Sequence, residues 1–486
     1  MVPPMAAKPK RSASAKTSAK TPAGSALAAP VAEKPAAKKP AVKLPPVDAK
    51  TLGQIVDLAN RVADSAVKRR DPQLEIPART LSNVRFNKAR KIIEMGGQTN
   101  SRQLFNLSQA KSYMQTLLVA TGCKALIDQQ KSTSIRGLYY LLKHTIEGTR
   151  EETFGTQEEC DPIIEDLEVT LQSLREELHV YASNRGGMVG PIALIDDGDE
   201  IDCSRMGSGG YSIPSIVEAN VIKFKSCDAK FILHVEKDTV WRRFNEDKFW
   251  RKHNCLLTHG GGQPPRGVRR MLHRLHHELK LPIYCLLDND PWGYYIYSVL
   301  KQGSINLAYE SKRMAIPEAK FLGLRSRDYD RCKLSQSVQI ALNDTDVKRA
   351  KQIAAYPWFA EKKAWQKEIA AMLTNGFKLE VEALISKDIS YVTETYTPER
   401  IEEADWLDCL NAKHGHPARF RLGGLRPPAW GPPSWRPVGS ATGSTRACGF
   451  TRNTSILLVF AWAGSAGRHG GRHPGGRSVA RHRDIA

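Results

Sequence analysis

The sequence predicts a multidomain α/β chain: a helical first half, then a domain built on a parallel sheet, flanked by disordered tails. Three observations predict it. Apolar residues recur at helical spacing between Thr51 and Leu178. Two apolar runs, 231–235 and 282–287, enclose a helical stretch. Both ends are dominated by Lys or Arg among Ala, Pro, Gly and Ser.

Residues 1–50 hold nine Lys and Arg11 against Glu33 and Asp48. Such a segment buries too little surface to offset its ordering entropy and is expected to be disordered, as a solubilising tail or a DNA-tethering arm. Residues 413–486 hold Lys413 and eleven Arg against Asp484, with Trp430, Trp435 and Trp462 among Gly, Pro and Ser. The change from Lys to Arg fits a shifted reading frame or read-through after about Leu410; the alternative is a disordered Arg/Gly tail that binds nucleic acid. The intact mass of the natively produced protein separates the two. The tails carry +8 and +11 of the formal +21, leaving residues 51–412 at +2. A basic chain points to an anionic partner, but here binding by the core has to come from local patches.

In the helical half, Leu104, Leu107, Ala110, Met114, Leu117 and Leu118 recur at helical spacing, as do Ile163, Ile164, Leu167, Leu171, Leu174 and Leu178. Asp161 before Pro162 predicts an N-cap with proline at the first position of the second helix. Short helices around a basic stretch suit a winged-helix, catabolite-activator-like module over residues 75–190. From Gly190 the pattern turns to strands, at 189–195 and Ile201, with turns at 196–198 and 207–210. The run 231–235, the helical stretch 268–279 and the run 282–287 imply a right-handed βαβ unit and a parallel sheet. Helical spacing returns over about 344–377, within a domain expected to span 191–410.

Nine cysteines run from Cys123 to Cys448 with no C-x-x-C pair, the pattern of reduced intracellular thiols. The N-terminus has no apolar signal core, and the longest apolar run, 456–462, is too short to span a bilayer. The expectation is a soluble intracellular protein with no membrane partner.

Two constellations carry chemistry. Glu236 closes the strand 231–235, and Asp288 and Asp290 close the strand 282–287. In open parallel sheets, ligands sit at the carboxyl ends of the strands. Three carboxylates converging there repel one another unless a cation neutralises them, and hard oxygen ligands select Mg²⁺ or Mn²⁺ over Zn²⁺. The bland reading is a buried Glu236–Lys pair beside a solvated acidic turn. The second constellation is T-S-I-R-G-L-Y-Y at 133–140. A tyrosine can attack a DNA phosphate and hold the strand end covalently, but with an ordinary pKa of about 10 it needs help to ionise. Arg136 lies one helical turn before Tyr140, on the same face, where a guanidinium can grip the phosphate. Alone, a Tyr-Tyr pair is more often core packing.

The acidic set resembles the Toprim fold of topoisomerases, primases and related nucleases, with Glu236 for the family glutamate and Asp288 and Asp290 for its D-x-D pair. The string 133–140 is similar to the [ST]-x-R-[DE]-[LI]-Y-Y motif of topoisomerase VI A subunits and of the meiotic double-strand-break transesterases. In that family the second tyrosine, here Tyr140, is the nucleophile. Gly137 stands where an acidic residue is usual. The likeness continues collinearly over about 75–405, through I-I-E-D-L-E at 163–168, Ile213-Pro214, and T-H-G-G-G-Q-P with Arg269 and Arg270, although Pro265 stands where Asp is usual.

The resemblance implies a DNA-cleaving subunit with Tyr140, Arg136 and Glu236 as catalytic residues and Mg²⁺ on Glu236, Asp288 and Asp290. Arg136, Arg266, Arg269 and Arg270 are expected to contact double-stranded DNA. No Walker A motif occurs in the chain, so ATP has to bind elsewhere; the resemblance implies a gyrase-like ATPase B subunit, in an A₂B₂ assembly around a homodimer of A subunits. It also implies 5′-phosphotyrosyl ends, passage of a second duplex, and a tyrosine working with the Toprim site of the other subunit. The chromosome, in a nucleoid or a nucleus, is the expected workplace. Two alternatives stay open: a recombination-initiating break maker of the same family, and a catalytically inactive architectural DNA-binding protein.

Overall fold

The computed structural model describes residues 44–407, so the expectations for most of the first tail and all of the last fall outside the described residues. The first tail ends earlier than expected. Helix α1 (Pro46–Val67) already includes residues 46–50, because Asp48 is buried and accepts from Gln130 Nε2 at 2.8 Å.

Strand β1 (Gln73–Pro77) comes next, and then the hairpin of β2 (Val84–Asn87) and β3 (Ile92–Met95). Strand β4 (Thr99–Gln103) returns antiparallel to β1. Helix α2 (Leu107–Gln129) starts at Asn106, whose side chain accepts from the Ser108 N–H. Its buried side runs through Thr116, Val119, Cys123, Leu126 and Ile127. Leu107 is exposed and Leu104 precedes the helix, so the predicted stripe marks only the flank of the buried face.

The two-residue strand β5 (Thr133–Ser134) leads directly into α3 (Ile135–Leu142). Helix α4 (Gln157–Leu171) corrects the expected N-cap: it begins four residues before Asp161, after Thr156, with Pro162 inside it. Proline has no N–H for the Glu158 carbonyl, a loss offset by burial of Ile163, Ile164, Leu167 and Leu171. The helix stops at a left-handed Gln172, so Leu174 and Leu178 lie beyond it. Strand β6 (Val180–Tyr181) pairs parallel with β5 and closes a core that includes Tyr113, Leu138 and Tyr139 of α2 and α3 and Leu178 of the turn after α4.

A sheet expectation is split in two. Strand β7 (Gly187–Val189) is separated by Gly190-Pro191 from β8 (Ile192–Asp196). Strands β8, β9 (Asp199–Asp202) and β11 (Ile222–Cys227) make an antiparallel three-stranded sheet, while β7 and β10 (Tyr211–Ser212) join a larger one.

The larger sheet positions the chemistry. Strand β12 (Ile232–Val235) is followed by α5 (Asp238–Glu246), α6 (Phe249–Lys252), β13 (Leu256–His259), α7 (Arg266–Leu279) and β14 (Ile283–Leu286). After α8 (Pro291–Gln302) and α9 (Ser311–Met314), β15 (Lys320–Gly323) completes the order β10-β7-β13-β12-β14-β15. The four strands from β13 to β15 are mutually parallel. The simple unit expected between β12 and β14 contains an extra strand, β13, on the far side of β12. The chain therefore steps out to β13 and crosses back to β14, making a topological switch point at β12 and β14.

Both faces of these strands are buried. Ile232, Leu256, Ile283 and Cys285 face one core, and Leu233, Leu257, Tyr284 and Leu286 face the other, as covered parallel sheets require. Short α10 (Asp328–Arg331) precedes β16 (Ile340–Ala341), and α11 (Asp344–Ala355), α12 (Pro357–Ala360) and α13 (Lys363–Asn375) occupy the predicted helical region. Trp365 of α13 packs on Tyr294, Tyr297 and Phe321, with ring centroids 5.2–5.3 Å away. Strand β17 (Phe377–Lys378) and the short helix Val381–Ser386 then cover the carboxyl edge, before a π-helical turn Val392–Tyr396 and α14 (Thr397–Glu402). No helix among the described residues is long and apolar enough to cross a membrane.

Candidate active site

Glu236 and Asp288 leave adjacent parallel strands at the switch point, at their carboxyl ends. The Asp288 N–H donates to Glu236 Oε2 at 3.2 Å, and both residues are less than a tenth exposed. Burial, and then the neighbouring carboxylates, push the Glu236 carboxyl well above its usual range; burial likewise raises Asp288. Asp288 Oδ1 accepts from the Val381 N–H at 2.8 Å, and Oδ2 meets Lys237 Nζ at 3.0 Å. Asp290 caps α8 by accepting from the Gly293 N–H at 2.5 Å, and burial raises its carboxyl as well.

Among the described residues, no three carboxylate, imidazole or thiol side chains stand together as a finished metal cage. The donor set is nevertheless that of a hard cation. It consists of buried oxygens whose repulsion is only partly relieved by Lys237, which also meets Glu380 at 3.0 Å and Glu382 at 3.1 Å. Sequence reasoning weighed a Lys beside Glu236, which the structure pairs with Asp288 instead, and missed Glu380 and Glu382. Lys237 stands next to Glu236 and was legible as a charge partner, whereas the two acids arrive from a distant segment. The glycine loop after β13 also touches this edge, with Gly262 N–H donating to the Glu236 carbonyl at 2.9 Å.

The tyrosine pair divides sharply. Tyr139 is buried in the core of its module and its hydroxyl donates to the Gly155 carbonyl at 3.2 Å. Tyr140 is 60% exposed, with the Arg136 guanidinium carbon 5.9 Å from its ring centroid. Ser134 starts α3 by accepting from the Gly137 N–H at 3.0 Å. An acid at position 137 would complete a reciprocal capping box, but a Cβ there would clash with Thr133 Oγ1. Tyr140 and Arg136 share no hydrogen bond or ion pair with Glu236, Asp288 or Asp290 among the described residues.

Residues 231–401 match the family model for the Toprim domain shared by the topoisomerase 6 A subunit with Spo11. Residues 111–180 match the one for type IIB DNA topoisomerase, and 184–228 an all-beta domain in DNA topoisomerase VI alpha subunit. The A subunit of type 2 DNA topoisomerase 6 from Pyrococcus horikoshii is 39% identical over 367 residues, covering 74% of this chain and 95% of that protein. The chain belongs to the family of topoisomerase VI A subunits. The type 2 DNA topoisomerase 6 counterpart from Aeropyrum pernix is 40% identical, covering 72% of this chain and 93% of its own. The A3 subunit of DNA topoisomerase 6 from Oryza sativa is 33% identical, covering 74% and 79%. The fold is thus that of a type IIB DNA topoisomerase A subunit, an enzyme of the type II class, with its Toprim domain on the parallel sheet.

Two of three predicted DNA-contacting arginines of this topoisomerase VI A chain have acidic partners, and the third is buried. Arg266, Arg269 and Arg270 lie in the first turns of α7, not in a loop. Arg266 is largely buried, bonded to Glu168 at 2.6 Å and paired with Glu310 at 3.0 Å. Arg270 binds both oxygens of Glu218, at 3.1 and 2.9 Å. Arg269 is 4% exposed. In this structure acids distant in sequence hold two of these side chains and burial encloses the third. Glu168, fully buried, emerges instead as a structural hub that accepts from Arg175, Arg266 and Tyr309. Arg136 alone among the four is exposed and without an ion pair among the described residues.

Proposed function

We propose that this subunit cleaves and reseals both strands of duplex DNA by transesterification through Tyr140. The carrying observation is the division of the tyrosine pair: Tyr139 is committed to the core, while Tyr140 stands in solvent beside an unpaired arginine. Tyr140 attacks a backbone phosphate and displaces the 3′-oxygen, leaving a 5′-phosphotyrosyl end. The 3′-hydroxyl later reverses the step, so religation needs no external energy. Arg136 orients the phosphate and favours the ionised tyrosine.

Glu236, Asp288 and Asp290 are the residues that would hold Mg²⁺, which when bound neutralises charge on the phosphate and leaving oxygen. Alternatively, Glu236 acts as general acid for the leaving 3′-oxygen. The likeness to topoisomerase VI A subunits supports a dimer spanning the duplex, in which the tyrosine of one A subunit works with the acids of another. The α1–α4 module serves as the winged-helix-like DNA cradle. An ATPase B subunit in an A₂B₂ assembly supplies strand passage, since the relatives are named as subunits of topoisomerase 6. The substrate is the cell's own chromosome.

Covalent trapping tests the reading. The protein, with and without an ATPase partner, is mixed with supercoiled DNA and Mg²⁺ and quenched with detergent. Adducts should form with wild type and Tyr139→Phe and vanish with Tyr140→Phe. Adducts that persist in Tyr140→Phe would overturn the assignment.

A further inference from the structure

The α1–α4 module and the Toprim domain meet around a cavity of about 240 Å³. One wall is the start of α7, including Arg266, Gly267 and Arg269; Arg175, Glu176 and Arg185 come from the other side. Arg269 is 4% exposed, yet it forms no ion pair and its Nε has no hydrogen-bond partner among the described residues. A buried guanidinium left unpaired costs several kcal/mol, so Arg269 calls for an acceptor. The start of α7 calls for one as well. Its N-cap is Pro265, with no side-chain acceptor for the first N–H groups of this 14-residue helix. Pro265 has the extended backbone of an ordinary N-cap, φ −67 and ψ 169, and it is the position where the sequence departs from an expected Asp.

The surrounding charges leave room for an anion. Glu168 and Glu310 are held by Arg266, and Glu168 and Glu165 by Arg175. The remaining lining acid, Glu176, has its carboxyl pushed up to about 7 by burial and then by Glu310, so it can meet an anion as a neutral donor. Arg185 at the mouth is exposed and without an ion pair among the described residues.

We propose that the cavity binds a phosphate-class oxyanion, held by Arg269 and the uncapped N-terminus of α7 with Arg185 at its mouth. The anion takes the place of the absent cap carboxylate and ties the tyrosine-bearing module to the metal-binding domain. The inference stands on the cavity and does not depend on the tyrosine chemistry.

The test is thermal unfolding of the full chain in rising inorganic phosphate at constant ionic strength, with chloride as control. Wild type should show a saturable rise in Tm. Arg185→Ala, a rim change that leaves the core intact, should raise the half-saturating concentration about fivefold, the scale of one exposed charge contact. Arg269→Met should abolish the response. Pro265→Asp should also abolish it while raising the basal Tm, because the new carboxylate occupies the same place. A wild-type response no greater than with chloride, or one unchanged in Arg185→Ala and Pro265→Asp, would overturn the proposal even if Arg269→Met does not fold. Repeating the titration with saturating short duplex identifies the source. A lost response assigns the site to a backbone phosphate, and a retained one to a free anion; both support an oxyanion site.

Discussion

The main-chain N–H of Asp288 donates to the carboxylate of Glu236 at 3.2 Å, joining the acids of β14 and β12 across the switch point. Burial and the nearby Asp288 charge disfavour the ionised form of Glu236, so a neutral side chain there relieves that cost in the metal-free protein. Glu236→Gln should melt at or above the wild-type temperature in EDTA, lose the rise in Tm on adding Mg²⁺, and cut DNA at least about a hundredfold more slowly. Paired melts and cleavage rates check this. A variant that melts lower and still responds to Mg²⁺ would count against the assignment of the site.

Glu168 makes a different prediction, about stability. It accepts from two arginines and a tyrosine with no exposure of its own. Glu168→Gln leaves Arg266 and Arg175 buried with less negative charge. The expected cost is about 3–5 kcal/mol, the range for breaking a buried ion pair. Urea unfolding measures it, and a cost below about 1 kcal/mol, the range of an exposed pair, would show the hub to be dispensable.

These examples show where the sequence was legible. The strands ending in Glu236 and Asp288 stood out because apolar runs lead straight into acids. Strand β13 did not, since only Leu256 and Leu257 of its four residues are apolar, before Thr258 and His259. The arginines at 266, 269 and 270 looked like a DNA patch because their partners, Glu168 and Glu218, lie 98 and 52 residues away. Pro162 suggested a helix start, but burial of the flanking Cys160 and Ile163 carries the helix through it. In the tyrosine motif, spacing alone placed Arg136 beside Tyr140; which tyrosine faces solvent depends on packing that spacing does not contain.

The entry to α3 offers a cycle of substitutions. Gly137 lacks the acid that would close a capping box with Ser134, and Thr133 Oγ1 crowds its Cβ position. Thr133→Ala with Gly137→Glu removes the clash while adding the box and a better helix former. Together these should stabilise the protein by about 1 kcal/mol. Gly137→Glu alone should gain less, because Thr133 must rotate. Equal gains for the single and double variants would show that the crowding does not matter.

Glu176 sets a pH dependence. Its carboxyl is raised to about 7 in the folded protein, against about 4.3 when unfolded. Between these values the folded state binds more protons, so the contribution to stability is full below the unfolded value. It is lost as pH rises through 7, with a slope of at most about 1.4 kcal/mol per pH unit. Glu176→Gln should flatten the stability curve over that window. An unchanged slope in the variant would remove Glu176 as its source.

In the proposed reaction Tyr140 of one protomer works with the acids of its partner. Mixed dimers of Tyr140→Phe and Glu236→Gln chains, each inactive alone, test it most directly. Sites completed between protomers pair the intact Tyr140 of one chain with the intact acids of the other, and leave the second site dead. Single-strand nicks covalently linked to the Glu236→Gln chain are expected. Complete absence of cleavage by purified mixed dimers that bind DNA normally would contradict it, because only a site built within one chain is destroyed in both protomers.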